Sequence, residues 1–194
     1  MLKPVRITAP ATAVVSTVDA RAWMRVDDAA SDDIIAALVD AATARLDGYS
    51  GLLRRCLVTQ TWRQDFPEWP ATGQLALPFH GVSAVTVKYS DADNAEQTVS
   101  TSLYELLEGA AGSFIRFGDA FTEPAVYDDR SDAVRVTMTV GYGAAAAVPP
   151  PIVTAIKMLA AHWYEHREAA SAEALNEIPM GVKALLAPYR MVGV

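Results

Sequence analysis

The apolar residues of this chain change their spacing twice, and these changes constrain its fold more than any single motif. Near the start they recur three or four positions apart, as on one face of a helix: Ile34, Ile35, Leu38, Ala42, Leu46 and Tyr49. In the middle they alternate as in a strand, most regularly at Val134, Val136, Met138 and Val140. The helical spacing then returns at Ile152, Ile156, Leu159 and Trp163. The pattern predicts an α+β protein, a small helical bundle of about four helices with a β-rich insertion between the second and third helices.

The same changes of period predict the limits of the domains. Residues 1–56 are predicted to form the N-terminal helices of the bundle, and residues 57–148 the β-rich insertion. Residues 149–194 are predicted to complete the bundle and to end in a terminal tail. Ser16 and Asp19 have the spacing of a capping box, and Ser31 is predicted to cap the second helix. The prolines at 149–151 open a helix to about residue 169, since proline is tolerated in a first helical turn.

Composition restricts the class of function. The chain has 194 residues, 52% of them apolar, and a formal net charge of −7. An acidic protein with scattered Lys and Arg is a poor ligand for nucleic acid, because phosphate must be met by clustered positive charge. A single cysteine, Cys56, excludes an internal disulfide and fits a reducing compartment of synthesis. Neither the N-terminal stretch, broken by Pro4 and Pro10, nor the apolar residues 144–163 fit a signal peptide or a membrane span. We therefore expect synthesis in the cytoplasm and no membrane partner.

The C-terminal run of residues 177–190 points to assembly. Its core, residues 182–187, is predicted to be a short helix that Pro188 stops. A helix of under two turns is not stable alone, so it must dock on another element. The Tyr189-Arg190 pair that follows suits a contact surface.

One stretch matches an enzyme pattern. His162 and His166, with Glu165 between them, fit the H-x-x-E-H arrangement in which two imidazoles chelate zinc and the glutamate serves as base. A catalytic zinc needs a third protein ligand, and only Glu168, Glu173 and Glu177 follow in a short polar stretch. Trp163 lies on the core-facing line, which turns the histidines to its flank. We therefore expect no catalytic residue, no metal and no cofactor. The third histidine, His80, lies in a predicted loop without an identifiable partner.

Several segments together resemble the head–tail connector (adaptor) proteins of tailed bacteriophages and of gene transfer agents. The matching segments are residues 22–27 (AWMRVD), 46–51 (LDGYSG), 59–63 (TQTWR), 133–143 (AVRVTMTVGYG), 148–152, 161–165 (AHWYE) and 179–190 (PMGVKALLAPYR). The resemblance implies a structural virion protein, not an enzyme, that forms a homo-oligomeric ring, of twelve copies, in the neck beneath the portal. Such a ring extends the DNA channel and joins the capsid to the neck or tail.

The resemblance also implies the partners. They are the portal protein, further copies of the chain, and the next neck or tail component, a stopper or tail terminator. DNA would pass through the channel without specific binding, which the acidic charge favours. The particle, a phage or a gene transfer agent, would assemble in the bacterial cytoplasm.

Two sets of residues are candidates for these contacts. The terminal segment is the candidate portal interface: Tyr189, Arg190, Met191, Val192 and Val194. The tips of two predicted hairpins are candidates for contacts with neighbours: Asp91, Asp93, Asn94, Gly109 and Gly112. Two other functions stay open at this point, a small zinc-dependent hydrolase using His162 and His166, and a DNA-packaging accessory protein.

Overall fold

The computed structural model describes residues 2–166 and 179–191. Within them the chain forms four α-helices and two antiparallel sheets, which confirms the α+β class. The contacts divide it into two units. The β unit contains residues 2–11 and 59–141, and the helical unit contains residues 12–58, 142–166 and 179–191. The helical unit is therefore built from both ends of the chain.

Four helices make up the helical unit: α1 (Thr17–Met24), α2 (Asp32–Leu46), α3 (Pro150–Glu165) and α4 (Met180–Leu186). Their inward faces carry the apolar residues that recur at helical spacing. The fully buried members include Ile35, Leu46, Ile152, Ile156 and Leu159. As the sequence predicts, α3 begins at consecutive prolines, with Pro149 at the capping position. The last helix begins two residues earlier than expected, and Ala187 belongs to a 3₁₀ turn that follows it.

The first two helices begin differently. The Ser16 hydroxyl accepts a hydrogen bond from the Asp19 amide at 3.1 Å, which is the capping bond that the sequence predicts. The same hydroxyl donates to the Asp19 carboxylate at 2.7 Å. The prediction that Ser31 caps α2 with its side chain is wrong. Its hydroxyl instead accepts a hydrogen bond from Tyr164 at 3.2 Å.

We expect Ser16→Ala to destabilise the helical unit by about 1 kcal/mol, because the amide of Asp19 loses its acceptor. Ser31→Ala is the matched control, since the Ser31 side chain makes no capping bond to α2 that the substitution could remove. Urea unfolding followed by far-ultraviolet circular dichroism measures both. Equal effects of the two substitutions would contradict the assignment of Ser16 as the functional cap.

The β unit contains a five-stranded sheet and a three-stranded sheet. The first has the order β1-β2-β8-β4-β5 and the second the order β3-β7-β6. In chain order the strands are β1 (Val5–Thr8), β2 (Gln60–Phe66), β3 (Gln74–Ala76), β4 (Val82–Ser90), β5 (Glu96–Thr98), β6 (Tyr104–Gly109), β7 (Gly112–Phe117) and β8 (Val134–Val140). The predicted alternation is clearest in β8, where every second residue from Val134 is buried.

Aromatic rings fill the core of the β unit. The ring of Trp69 lies edge-on to Tyr89, Phe117 and Phe121, with centroids between 5.2 and 5.6 Å apart. Its indole nitrogen donates to the carbonyl of Pro124 at 2.9 Å, which satisfies the one polar atom of a buried side chain. In the described parts of the chain, we find no helix that is both long enough and apolar enough to span a bilayer.

Candidate assembly surfaces

The terminal helix α4 docks on its own unit, as an isolated helix of this length must. Val182 and Leu186, four residues apart, are buried in the core of the helical unit. Gly181 lets the helix approach α3 closely, because a Cβ there would lie 3.2 Å from the Cε atom of Met158. Packing therefore holds one face of the helix, while Met180, 86% exposed, and Lys183 lie on its outer face.

The chain beyond α4 stays attached to the helical unit through Met191. The Nε of Arg55 donates to the carbonyl oxygen of Tyr189 at 3.0 Å. The amide of Met191 donates to the carbonyl oxygen of Leu53 at 3.2 Å. Tyr189 is half-buried against the core, while Arg190 is exposed. These contacts fix the direction in which the chain leaves the unit.

The structure describes three of the five residues of the candidate portal interface. Tyr189, Arg190 and Met191 lie together at the end of the described residues, with Arg190 the exposed member. Val192 and Val194 lie outside the described residues. All five remain candidates.

The turn between β4 and β5 is built around Asp91. Its carboxylate accepts hydrogen bonds from the amides of Asp93 at 3.1 Å and Ala95 at 2.9 Å, and from the side chain of Gln97 at 2.8 Å. The bond from Gln97, followed by that from Ala95, lowers the pKa of Asp91. Asn94 adopts a left-handed conformation with φ of 61°, which asparagine tolerates better than most residues. Asp93 and Asn94 are exposed, so this tip is a preformed, charged surface.

The second candidate tip is the β6–β7 hairpin. Gly109 and Gly112 pair across it, and the two alanines between them are exposed. Gly112 itself is buried, and its φ of 136° lies where only glycine is unstrained. A Cβ at this position would also lie 3.4 Å from the carbonyl oxygen of Phe79. The five residues therefore form two separate tips, and Gly112 shapes its tip without contributing exposed surface.

Next to the tip of the β6–β7 hairpin lies a polar cluster that the sequence did not reveal. His80, expected to lack a partner, has its Nδ1 2.6 Å from Oε1 of Glu108. Glu108 also accepts hydrogen bonds from the hydroxyl of Ser113 and from the amide of Gly81. The buried Ser113 hydroxyl in turn accepts one from the amide of Val82 at 3.1 Å. The cluster ties the hairpin to the loop before β4, over a sequence separation that no motif indicates.

The cluster predicts a pH dependence. Burial raises the pKa of Glu108, but the hydrogen bonds from Ser113, Gly81 and His80 lower it more, so that the net shift is downward. A carboxylate whose pKa is lower in the folded than in the unfolded protein stabilises the fold at pH values above the unfolded pKa. This stabilisation is lost as the pH falls through the pKa of the folded state. We therefore expect the Gly81 and Val82 amides to exchange faster below about pH 4 than intrinsic rates account for.

Amide hydrogen exchange by NMR measures this effect. Glu108→Gln should weaken the protection of both amides and remove its pH dependence in the acidic range. Glu105→Gln is the matched control, since Glu105 is on the same strand but pairs with Arg116 on the exposed face. Equal protection of the two amides at pH 3 and pH 6 in the unsubstituted chain would contradict the prediction.

The two histidines of the enzyme-like pattern lie near each other at the end of α3. Their ring centroids are 4.6 Å apart, and Nδ1 of His166 is 2.9 Å from the carbonyl oxygen of His162. Over residues 2–166 and 179–191, no three His, Cys, Asp or Glu side chains are grouped so that they could hold a metal ion. Glu168, Glu173 and Glu177 lie outside these ranges.

Known structures resemble the chain over its full length. One is a chain in the neck of an empty gene transfer agent particle, computed with C6 symmetry. It is 25% identical, with a TM-score of 0.79, and the match covers 100% of this chain and 97% of that one. The chain has the fold of a gene transfer agent neck protein. The resemblance seen in the sequence is thereby confirmed.

Two further structures of gene transfer agent particles contain similar chains. A chain in the virion of a native gene transfer agent particle is 24% identical, with a TM-score of 0.80 and coverage of 100% and 97%. A chain in the neck of a native particle, computed with C12 symmetry, is 26% identical, with a TM-score of 0.65 and coverage of 97% of both chains. No family model matches the sequence. No curated protein matches it either.

Proposed function

We propose that the chain is a structural adaptor of the neck of a gene transfer agent or related phage-like particle. The observation that carries this proposal is the likeness over the whole length, with a TM-score of 0.79 and nearly complete coverage of both chains. A likeness of this extent includes both units, so it supports a shared architecture and not only a shared domain. The role would be mechanical, with no enzymatic step.

The adaptor would act as a closed ring between the portal and the next neck or tail component. Two of the similar chains belong to necks computed with C6 and C12 symmetry. Twelve copies satisfy both symmetries, and a head-to-tail contact repeated around an axis closes into such a ring. The ring would be assembled in the bacterial cytoplasm as part of the particle.

The channel of the ring would pass DNA without holding it. Each copy carries a formal net charge of −7, and a wall of like sign repels phosphate. Each cation placed on such a wall would add a phosphate contact and slow the passage of DNA.

The portal side would be formed by the end of the chain. The segments that meet there, residues 45–57 and 179–191, contain five cationic residues and one acidic residue: Arg45, Arg54, Arg55, Lys183, Arg190 and Asp47. This local excess of positive charge in an acidic chain fits a partner surface of negative charge. The two hairpin tips of the β unit would contact neighbouring copies.

Imaging of intact particles tests the proposal. Particles from cells that make the full chain should show it as a ring in the neck, in contact with the portal. Deletion of its gene should yield DNA-filled heads without tails, and a plasmid copy should restore the joined particles. Complete, tailed particles in the deletion strain would overturn the proposal.

A further inference from the structure

The two outer strands of the five-stranded sheet differ in character. Within the described residues, β1 is bonded only to β2 and β5 only to β4. Natural sheet edges are usually protected by charge, proline or short length, and β5, with Glu96 and Gln97, follows this rule. β1 is also short, follows Pro4 and contains Arg6, but it exposes two apolar side chains, Val5 and Ile7, at 48% and 52%. Exposed apolar side chains on an edge strand favour pairing with another chain.

Val5 of β1 and Thr98 of β5, both exposed, lie on the same face of the sheet. Directly paired residues share a face, and one ladder of such pairs crosses four strands: Val5, Arg63, Thr137 and Thr86. Lys88, two residues after Thr86, pairs with Thr98 of β5. Val5 and Thr98 therefore point to the same side of the sheet from its opposite edges.

The two edges carry opposite charge. Residues 2–11 contain Lys3 and Arg6 and no acidic residue. Residues 91–98 contain Asp91, Asp93 and Glu96 and no basic residue. Within the chain, Glu96 pairs with Lys88 at 2.6 Å and with Arg135 at 3.2 Å, which offsets part of this negative charge. Asp93 is exposed at the end of the turn beside β5.

The direction of the strands decides how two copies can join. Each neighbouring pair in the sheet is antiparallel, so β1 and β5, four steps apart, run in the same direction. A twofold contact between two β1 strands would place Lys3 and Arg6 against their own copies. A head-to-tail contact instead places the basic, apolar edge against the acidic edge, and repeats of such a contact close into a ring.

We infer that β1 of one copy pairs with β5 of the next copy, in parallel, so that the five-stranded sheets continue from subunit to subunit around the ring. The inference rests on the proposed ring, and it identifies the partner of β1 as a second copy of this chain. Main-chain hydrogen bonds provide the contact, and cover of Val5 and Ile7 by the neighbouring strand adds apolar burial.

Engineered cysteines in the full chain test this contact within assembled particles. Val5→Cys combined with Thr98→Cys should, under mild oxidation, give a ladder of disulfide-linked dimers, trimers and larger oligomers on non-reducing gels. Ile7→Cys with Thr98→Cys tests the neighbouring register. The chain without engineered cysteines contains only the buried Cys56, and it measures the background level of cross-linking. Either pair giving a ladder supports the inference.

Two controls make the result specific. Val5→Cys with Thr86→Cys has an exposed residue on the same face but on an interior strand, so it should give no ladder. Val5→Cys alone should give no dimer. A strong dimer from Val5→Cys alone would show a twofold contact and overturn the inference, as would the absence of a ladder from both test pairs in particles that contain the ring.

Charge reversal provides an independent readout. Lys3→Glu or Asp93→Lys alone should reduce cross-linking by about two- to fivefold, and the double variant should restore it. Particles that contain the ring, with no cross-link and no effect of charge, would refute the pairing and leave the adaptor function standing. Particles without any ring of this chain would overturn both.

Discussion

Replacing Gly51 by alanine is expected to unfold the helical unit or to destabilise it by about 3 kcal/mol or more. After α2 the chain turns back on the helix, and the amides of Leu52 and Leu53 donate to the carbonyls of Arg45 and Leu46. A Cβ on Gly51 would lie within 3.0 Å of the carbonyl oxygens of Leu46 and Asp47, a distance that real Cβ atoms do not reach. These atoms belong to the main chain, so the clash is relieved only if the turn opens.

Thermal unfolding of Gly51→Ala measures the effect, and Gly181→Ala is the control in the same unit. The Cβ of an alanine at 181 meets the end of a methionine side chain, which moves at little cost. Alanine also favours the helix by about 1 kcal/mol over glycine. We expect Gly181→Ala to be neutral or slightly stabilising. A melting temperature of Gly51→Ala equal to that of the unsubstituted chain would show that the turn is not as tight as described.

Truncation of the chain after Pro188 is expected to leave a folded protein that no longer joins the particle. The deletion removes the hydrogen bonds to Arg55 and Leu53 and the packing of Tyr189. Their loss should cost about 1–3 kcal/mol, which lowers the melting temperature by several degrees without unfolding the chain. If the terminal segment binds the portal, the amount of the chain in purified particles should fall at least tenfold.

A second truncation, after Met191, separates stability from attachment. It keeps the hydrogen bonds of Tyr189 to Arg55 and of Met191 to Leu53, so its melting temperature should exceed that of the chain truncated after Pro188. A loss of attachment by this shorter deletion would assign the portal contact to residues 192–194. The proposed portal interface would be refuted if the chain truncated after Pro188 still entered particles at the normal copy number.

The parts of the fold that depend on local pattern were predictable from the sequence. The helical spacing of apolar residues predicted α2 and α3, and strict alternation predicted β8. Helices and strands each place side chains on one face at a fixed spacing, so the spacing identifies the element. The Ser16 cap was predictable for the same reason, since both partners lie within one turn. Ser31 directly precedes its helix in the same way but makes no capping bond, because it ends a 3₁₀ turn with ψ of 0° and lacks the extended backbone of a capping residue. Its hydroxyl bonds instead to Tyr164, which is far away in sequence.

Contacts between distant segments were not predictable in this way. His80 and Glu108 are separated by 28 residues, and Ser113 completes their cluster from the opposite strand of the hairpin. The attachment of Met191 to Leu53 likewise depends on a tertiary contact between the two ends of the helical unit. The need of α4 for a docking surface was evident from its length, but its site on the helical unit was not. The neck resemblance was recognisable because several weak segments occur in a fixed order.

The discontinuous helical unit has a consequence for synthesis. The chain leaves this unit after residue 58 and re-enters it at residue 142, where the amide of Tyr142 donates to the carbonyl of Leu57 at 2.9 Å. When the ribosome has released only the first 141 residues, every strand of the β unit is already available, whereas α2 still lacks α3 and α4. Ile35, Val39 and Leu46 lack their cover from α3 and α4 until those helices emerge. The β unit is thus free to fold first, and the surface that ends at Met191 forms only after α3 and α4 have been made.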